Sequence, residues 1–219
     1  MMDFTLFHDY QDSIISGILM TLKMSFGGIA AGMVLGLLLF GLQRVGGKWL
    51  TPVYHAYITL FRGTPLLVQL FIVFYGGPHV GLEWSAEQVG LIGLALYGTA
   101  YFAEIFRTGL EAIPKGQIES ARDLGLGSLQ IFRVVLWPQM LARTLPPMVG
   151  QSVILVKESS VLSIITVAEL TNIAMTIANQ TFAILEPYLL LALAYWAIAI
   201  GIARVGALLE TRFTRFQSR

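Results

Sequence analysis

Residues 19–42 read LMTLKMSFGGIAAGMVLGLLLFGL, twenty-four positions that carry one charge, Lys23. A bilayer core about 30 Å thick is crossed by a helix of about 20 mostly apolar residues, so this stretch predicts a spanning helix. Gly28, Gly32 and Gly36 recur at every fourth position. Small residues at that spacing let helices approach closely, and they read as packing within a bundle. Working outward, four further segments have the length and apolarity of spans: 52–75, 89–106, 148–167 and 187–209. The fold class expected is therefore all-α, an integral membrane bundle of about five helices. The 148–167 span is the weakest, because Lys157-Glu158-Ser159-Ser160 lies at its centre.

Composition agrees. Hydrophobic residues make up 56% of the 219, charged residues 12%, and mean hydropathy is +0.72. A soluble domain carries about 25% charged residues, so a water-facing surface is not available to this chain. It has no cysteine, which excludes disulfides, iron–sulfur clusters and thiolate zinc sites. The first dozen residues hold Asp3, Asp9 and Asp12 and no Lys or Arg, unlike the basic start of a secretory signal.

Cytoplasmic loops of membrane proteins are rich in Lys and Arg. With the N-terminus outside, the inner segments are 43–51, 107–147 and the tail from about 204. They hold Arg44 and Lys48; Arg107, Lys115, Arg122, Arg133 and Arg143; and Arg204, Arg212, Arg215 and Arg219, which is 11 of the 14 basic residues. Lys23 sits at the outer end of the first span, where it can snorkel. Only Arg62 and Lys157 remain inside spans. The expected topology is multi-pass, N-terminus out and C-terminus in.

The long inner loop, 107–147, contains IPKGQIESARDLGLGSLQIFRVVLWPQ from Ile113 to Gln139. Pro114 can open a short helix, and Gly125 and Gly127 can close it. Ser128 can cap a second helix, which Pro138 cannot continue. Ile118, Ala121, Leu124 and Leu126 form an apolar patch on the first. Such a hairpin at a membrane surface needs something to dock against.

Glu119-Ser120-Ala121, Gly125, and Val135-Leu136-Trp137-Pro138 together resemble the EAA motif of bacterial ABC importer permeases. Glu119, Ala121, Gly125 and Pro138 match it; Ser120, Val135 and Trp137 depart from it. Three further stretches resemble the polar amino acid (histidine/glutamine-type) branch. They are Arg62-Gly63-Thr64-Pro65-Leu66-Leu67-Val68-Gln69; Ala103-Glu104-Ile105-Phe106-Arg107 with Ala112 to Gln117; and Leu145-Pro146-Pro147 with Val156 to Ser160. The resemblance covers about residues 12–215. It implies one permease domain in the bacterial inner membrane, paired with a second copy or a similar chain. It also implies two ATPase subunits that bind the hairpins as coupling helices, shaped by Glu119 and Gly125, and an external solute-binding protein that delivers an amino acid.

This chain is not itself expected to be an enzyme or to bind a cofactor. A phosphate-cradling loop needs Gly-x4-Gly-Lys-Ser/Thr, whereas Gly46-Gly47-Lys48 is followed by Trp49. ATP and magnesium are expected on the partner ATPase. Three scattered histidines, His8, His55 and His79, lack metal-ligand spacing, no Gly-x-Ser-x-Gly elbow occurs, and topology accounts for the basic loops without nucleic acid.

Charges within spans are costly and read as functional. Arg62 and Glu158 each lie about ten residues into their spans, roughly 15 Å deep, at matching level near the midplane. A zwitterionic amino acid needs a cation for its carboxylate and an anion for its ammonium. Arg62 and Glu158 are the candidates, with Thr64 and Ser159 beside them. Thr64-Pro65 could break the second span and aim a half-helix N-terminus at the carboxylate. The other reading is that Arg62 and Glu158 pair with each other or with backbone carbonyls. Glu104, a second acid, is expected to pair with Arg107 at i+3. The alternative function is an ion-gradient-driven secondary amino acid transporter, which usually shows internal repeats and more spans.

Overall fold

The computed structural model describes residues 6–213. Of the charges that set the expected topology, Asp3, Arg215 and Arg219 lie outside the described residues, as does the side chain of Arg212. The described chain is helical. After a single turn, α1 (Leu6–Asp9), comes α2 (Gln11–Gly63), which contains a break at Gly47 with φ 51 and ψ −135. That conformation is costly for a residue with a Cβ, and it reverses the chain. Before it, Gly28, Gly32 and Gly36 face Leu94, Gly98 and Ala103 in rising order. Beyond it the order falls: the Tyr54 hydroxyl reaches Glu104, and the Tyr57 hydroxyl donates to the Leu96 carbonyl at 2.7 Å. The two limbs of α2 are thus antiparallel spans flanking α4 (Ala86–Glu111).

The second span continues as α3 (Leu66–Gly76) across an interruption at Thr64 and Pro65, both extended (ψ 144 and 138). α4 opens with a capping box in which Ser85 and Gln88 exchange hydrogen bonds, satisfying two otherwise orphan amides. Its core side chains, Leu94, Phe102 and Phe106, pack with Met24, Leu155 and Leu162 from three other segments.

The hairpin comprises α5 (Lys115–Asp123) and α6 (Ser128–Ile131). It is shorter than the 107–147 loop that the sequence predicts, because both flanks are helical. α4 runs on to Glu111, and α7 (Trp137–Glu158) starts well before residue 148. Pro138, Pro146 and Pro147 misplace that boundary. Proline usually breaks a helix, yet membrane helices tolerate it where neighbours satisfy the freed groups. Here a wide π-type turn, Phe132–Leu136, leads into Pro138, and the Trp137 amide bonds the Phe132 carbonyl five residues back. Pro138 therefore sits at the start of α7 and ends nothing. Gly127, not Ser128, is the N-cap of α6, and Pro114 is the N-cap of α5, one position before the expected place.

α7 tightens into a 3-10 stretch, Ser159–Ile165. A helix not predicted from the sequence follows, α8 (Leu170–Thr181), which packs on the start of α2 through Gly17, Leu170 and Ile173. The last span, α9 (Leu185–Phe213), lies antiparallel on α7, with Gly206 against Val149. Only 6% of its most apolar window is buried within the chain, against 56% for α4. α4 is the axis of the bundle and α9 its outer face.

Candidate functional site

One face of α4 carries Tyr97, Tyr101, Glu104, Arg107 and Glu111 at helical spacing of three and four, which places them on a single stripe. Arg107 is the link between two acids. Its Nε and one terminal nitrogen donate to the two Glu104 oxygens at 2.8 and 2.9 Å, and the other donates to Glu111 at 2.6 Å. The Tyr54 hydroxyl donates to the same Glu104 oxygen as Nε, at 2.8 Å. Arg62 comes from the second span and approaches the remaining Glu104 oxygen at a looser 3.6 Å. Its guanidinium also lies 5.0 Å from the centre of the Tyr101 ring, within cation–π range. The Glu104–Arg107 pairing is as expected. Arg62, however, pairs with neither Glu158 nor a backbone carbonyl; it leans on Glu104 and Tyr101.

Glu158, at the last turn of α7, is half-buried and makes no hydrogen bond or ion pair among the described residues. Tyr97 lies within electrostatic reach of both Glu158 and Arg62, and its hydroxyl meets that of Tyr101 at 3.1 Å. Arg62 and Glu158 therefore do not pair with each other. Lys157 turns away, lining a separate small cavity with Ser160, Thr171 and Tyr195.

The neighbours proposed with them fare differently. Thr64 does lie at a broken helix, but its hydroxyl donates to the Leu60 carbonyl and accepts from Gln69 Nε2, each at 2.8 Å. It closes the preceding helix, and Pro65, not Thr64, occupies the N-cap of α3. Thr64 also lines a groove of about 330 Å³ with Leu60, Phe61, Gln69 and Trp84. Ser159 leaves the candidate site. It is fully buried, donates to the Val156 carbonyl at 2.7 Å and accepts from Ser25 at 3.1 Å, so it joins α7 to the first span.

Sequence reasoning missed Glu169. Its carboxylate is fully buried and accepts from the Thr171 and Asn172 amides at 2.9 and 3.0 Å, capping α8, and from the Thr21 and Tyr195 hydroxyls at 3.3 and 2.9 Å. It ties the first span, α8 and α9 together. Its signal was an acid before a helical period, but glutamate is not a favoured cap. The tyrosines at 97 and 101 were legible in principle as polar positions in phase with Glu104, whereas Tyr54 reaches it from the second span.

At the hairpin, Gly125 has φ 78, its amide bonds the Arg122 carbonyl at 2.8 Å, and the Leu126 amide bonds Ala121 at 3.2 Å. That pair of bonds is a Schellman ending, which requires the left-handed residue between them. Ala121 is buried beneath it, and Glu119 is exposed. Leu124 and Leu129 stand 79% and 61% exposed on the outer side, an apolar surface of the kind that marks an interaction site. Gln139 on α7 braces the hairpin, donating to Gln117 at 2.7 Å.

The sequence profile described as "Binding-protein-dependent transport system inner membrane component" matches residues 28–215. A probable amino-acid ABC transporter permease of Bacillus subtilis (strain 168), YckA, is 38% identical over 207 residues, covering 93% of this chain and 90% of that protein. The octopine transport system permease OccM of Rhizobium meliloti is 38% identical over 208 residues, with 90% and 84% covered. A putative glutamine transport system permease, GlnP of Rickettsia conorii, is 31% identical over 200 residues, with 91% and 92% covered. Among solved structures, a chain of an amino acid ABC transporter crystallised with histidines superposes with a TM-score of 0.90 at 34% identity, covering 97% of this chain and 99% of that one. A chain of the inward-facing MetNI methionine transporter gives 0.77 at 22% identity, covering 94% and 99%, a likeness of fold.

Proposed function

The chain belongs to the family of binding-protein-dependent transport system inner membrane components, and on that premise we propose that it is the permease subunit of an ATP-driven importer of polar amino acids. The observation that carries this reading is that Arg62 and Glu158 do not pair with each other. Arg62 is held loosely at 3.6 Å from Glu104, and Glu158 is without an ion pair among the described residues. An incoming α-amino acid has the complementary charges: its carboxylate goes to Arg62 and its ammonium to Glu158, with Tyr97 and Tyr101 between them. Thr64 shapes the adjoining helix break. Relatives described as permeases for amino acids, glutamine and octopine support the substrate class.

The energy comes from outside this chain. Two ATPase subunits, holding ATP and magnesium, dock on the hairpins of two permease copies or of this chain and a similar one. Glu119, Ala121, Gly125 and Pro138 set the shape of that hairpin. An external binding protein delivers the substrate, with the N-terminus outside and the hairpin and C-terminus in the cytoplasm. The permease is a transport subunit and not a hydrolase. The test is co-purification from native membranes of the tagged chain against Gly125→Asp. An ATPase subunit is expected with the wild type and a several-fold loss with the variant. Equal recovery would remove the hairpin from the coupling role, and no ATPase with either chain would overturn the importer reading.

A further inference from the structure

A groove of about 460 Å³ lies at the hairpin end of the bundle, away from the charged stripe. Phe40 and Val45 of the first limb of α2, Leu110 of α4, Phe132 of the wide turn and Trp137 at the start of α7 line it, and the lining holds one charge, Arg44. Gly41 forms part of the lining, and a Cβ there would meet nothing within 4 Å, so the trough is open along the helix. Val45 is 91% exposed, and the tilted Phe132 and Trp137 rings stand 6.0 Å apart at the other wall. Arg44 is exposed and makes no hydrogen bond or ion pair among the described residues. It lies three residues before the Gly47 reversal that ends the first span.

A trough of hydrocarbon and aromatic surface, with one unpaired guanidinium at its interfacial rim, is complementary to an amphiphile with an anionic head. Basic pockets between spanning helices are suited to such headgroups, and a guanidinium can grip a phosphate with two parallel donors. Phe40 and Gly41 belong to the apolar first span and lead the trough toward the bilayer, where a lipid chain is the neighbour at hand. We propose that this groove binds an anionic phospholipid of the leaflet at the hairpin end, with an acyl chain along Phe40, Gly41 and Trp137 and the phosphate on Arg44. The bound lipid bridges the first span to the Phe132–Leu136 turn that carries the hairpin, and so braces the hairpin against the bundle. None of this rests on the substrate reading of Arg62 and Glu158.

The test is native mass spectrometry of the purified full-length chain titrated with phosphatidylglycerol or with phosphatidylcholine of the same acyl chains. The wild type is expected to retain phosphatidylglycerol about fivefold better, the contribution of one basic side chain near a charged headgroup. Arg44→Gln should abolish that preference, Arg44→Lys should keep most of it, and Gly41→Leu, which fills the trough, should reduce retention of both lipids. Equal retention of the two lipids by the wild type, or an unchanged preference in Arg44→Gln, would overturn the proposal. So would a photo-reactive side chain at Val45 that crosslinks in native membranes to protein and not to lipid.

Discussion

Glu169 and Glu158 show how differently one residue type can be used within a few turns of chain. Glu169 accepts from two amides and two hydroxyls, three of the four at one carboxylate oxygen. Truncation to alanine would strand those four donors in an apolar interior, and unsatisfied buried groups cost about 1–3 kcal/mol each before relaxation. We expect Glu169→Ala to lose about 2–4 kcal/mol, read as a clear fall in the thermal unfolding midpoint in detergent, with Tyr195→Phe losing less. Glu158 has no such partners. Glu158→Gln should therefore leave the unfolding midpoint nearly unchanged while weakening amino acid binding to the purified permease by tenfold or more, about 1.4 kcal/mol. Unchanged affinity would remove Glu158 from the substrate site. The sequence offered Glu158 because it falls in the middle of a hydrophobic window. Glu169 follows the end of that window, and only the fold of the 3-10 stretch and α8 brings it back against Thr21. Depth in a membrane is legible from sequence only while the chain runs straight.

Among elements, the glycine stripe of the first span behaves as its spacing suggests, and the structure adds what it approaches. A Cβ on Gly36 would come within 2.9 Å of the Ala103 backbone nitrogen, and one on Gly32 within 3.2 Å of Gly98. Backbone cannot swing aside as a side chain can. Gly36→Ala should push the first span off α4 and cost about 1–3 kcal/mol. Gly150→Ala, where nothing lies within 4 Å, should be neutral or slightly stabilising. Unfolding scans of the two variants side by side would check the contrast. The helix ends were less legible than the helices. Prolines 138, 146 and 147 look like boundaries, yet the chain carries them inside or at the start of one continuous helix. A wide turn that absorbs a proline ring is a property of the backbone in place, not of the residue. At Gly125 the same reasoning succeeded, because a glycine closing a short helix is a local matter.

At the scale of the molecule, alternating limbs around α4 put the hairpin and the 76–81 turn at opposite ends of the bundle. The absence of cysteine makes the orientation directly measurable. Ser128→Cys should be modified by a membrane-impermeant maleimide only after cells are opened, and Val80→Cys in intact cells. The reverse pattern would invert the topology inferred from the basic loops. The apolar segments, their order and their antiparallel course were legible because apolar length is a property of long windows. The charged stripe was legible only in pieces, since Glu104 and Arg107 share a helix but Arg62 reaches them from another.

That division has a consequence for how the chain enters a bilayer during synthesis. Glu104 and Glu111 both pair with Arg107 within α4 alone, so the third span can leave the insertion machinery with its arginine already compensated. Arg62 has no acid on its own span, and Glu104 is made 42 residues later. At roughly 5–20 residues per second, the second span waits for several seconds with a bare guanidinium. Two spans held back until the third arrives, then released as a group, would be the order of assembly that these charges impose.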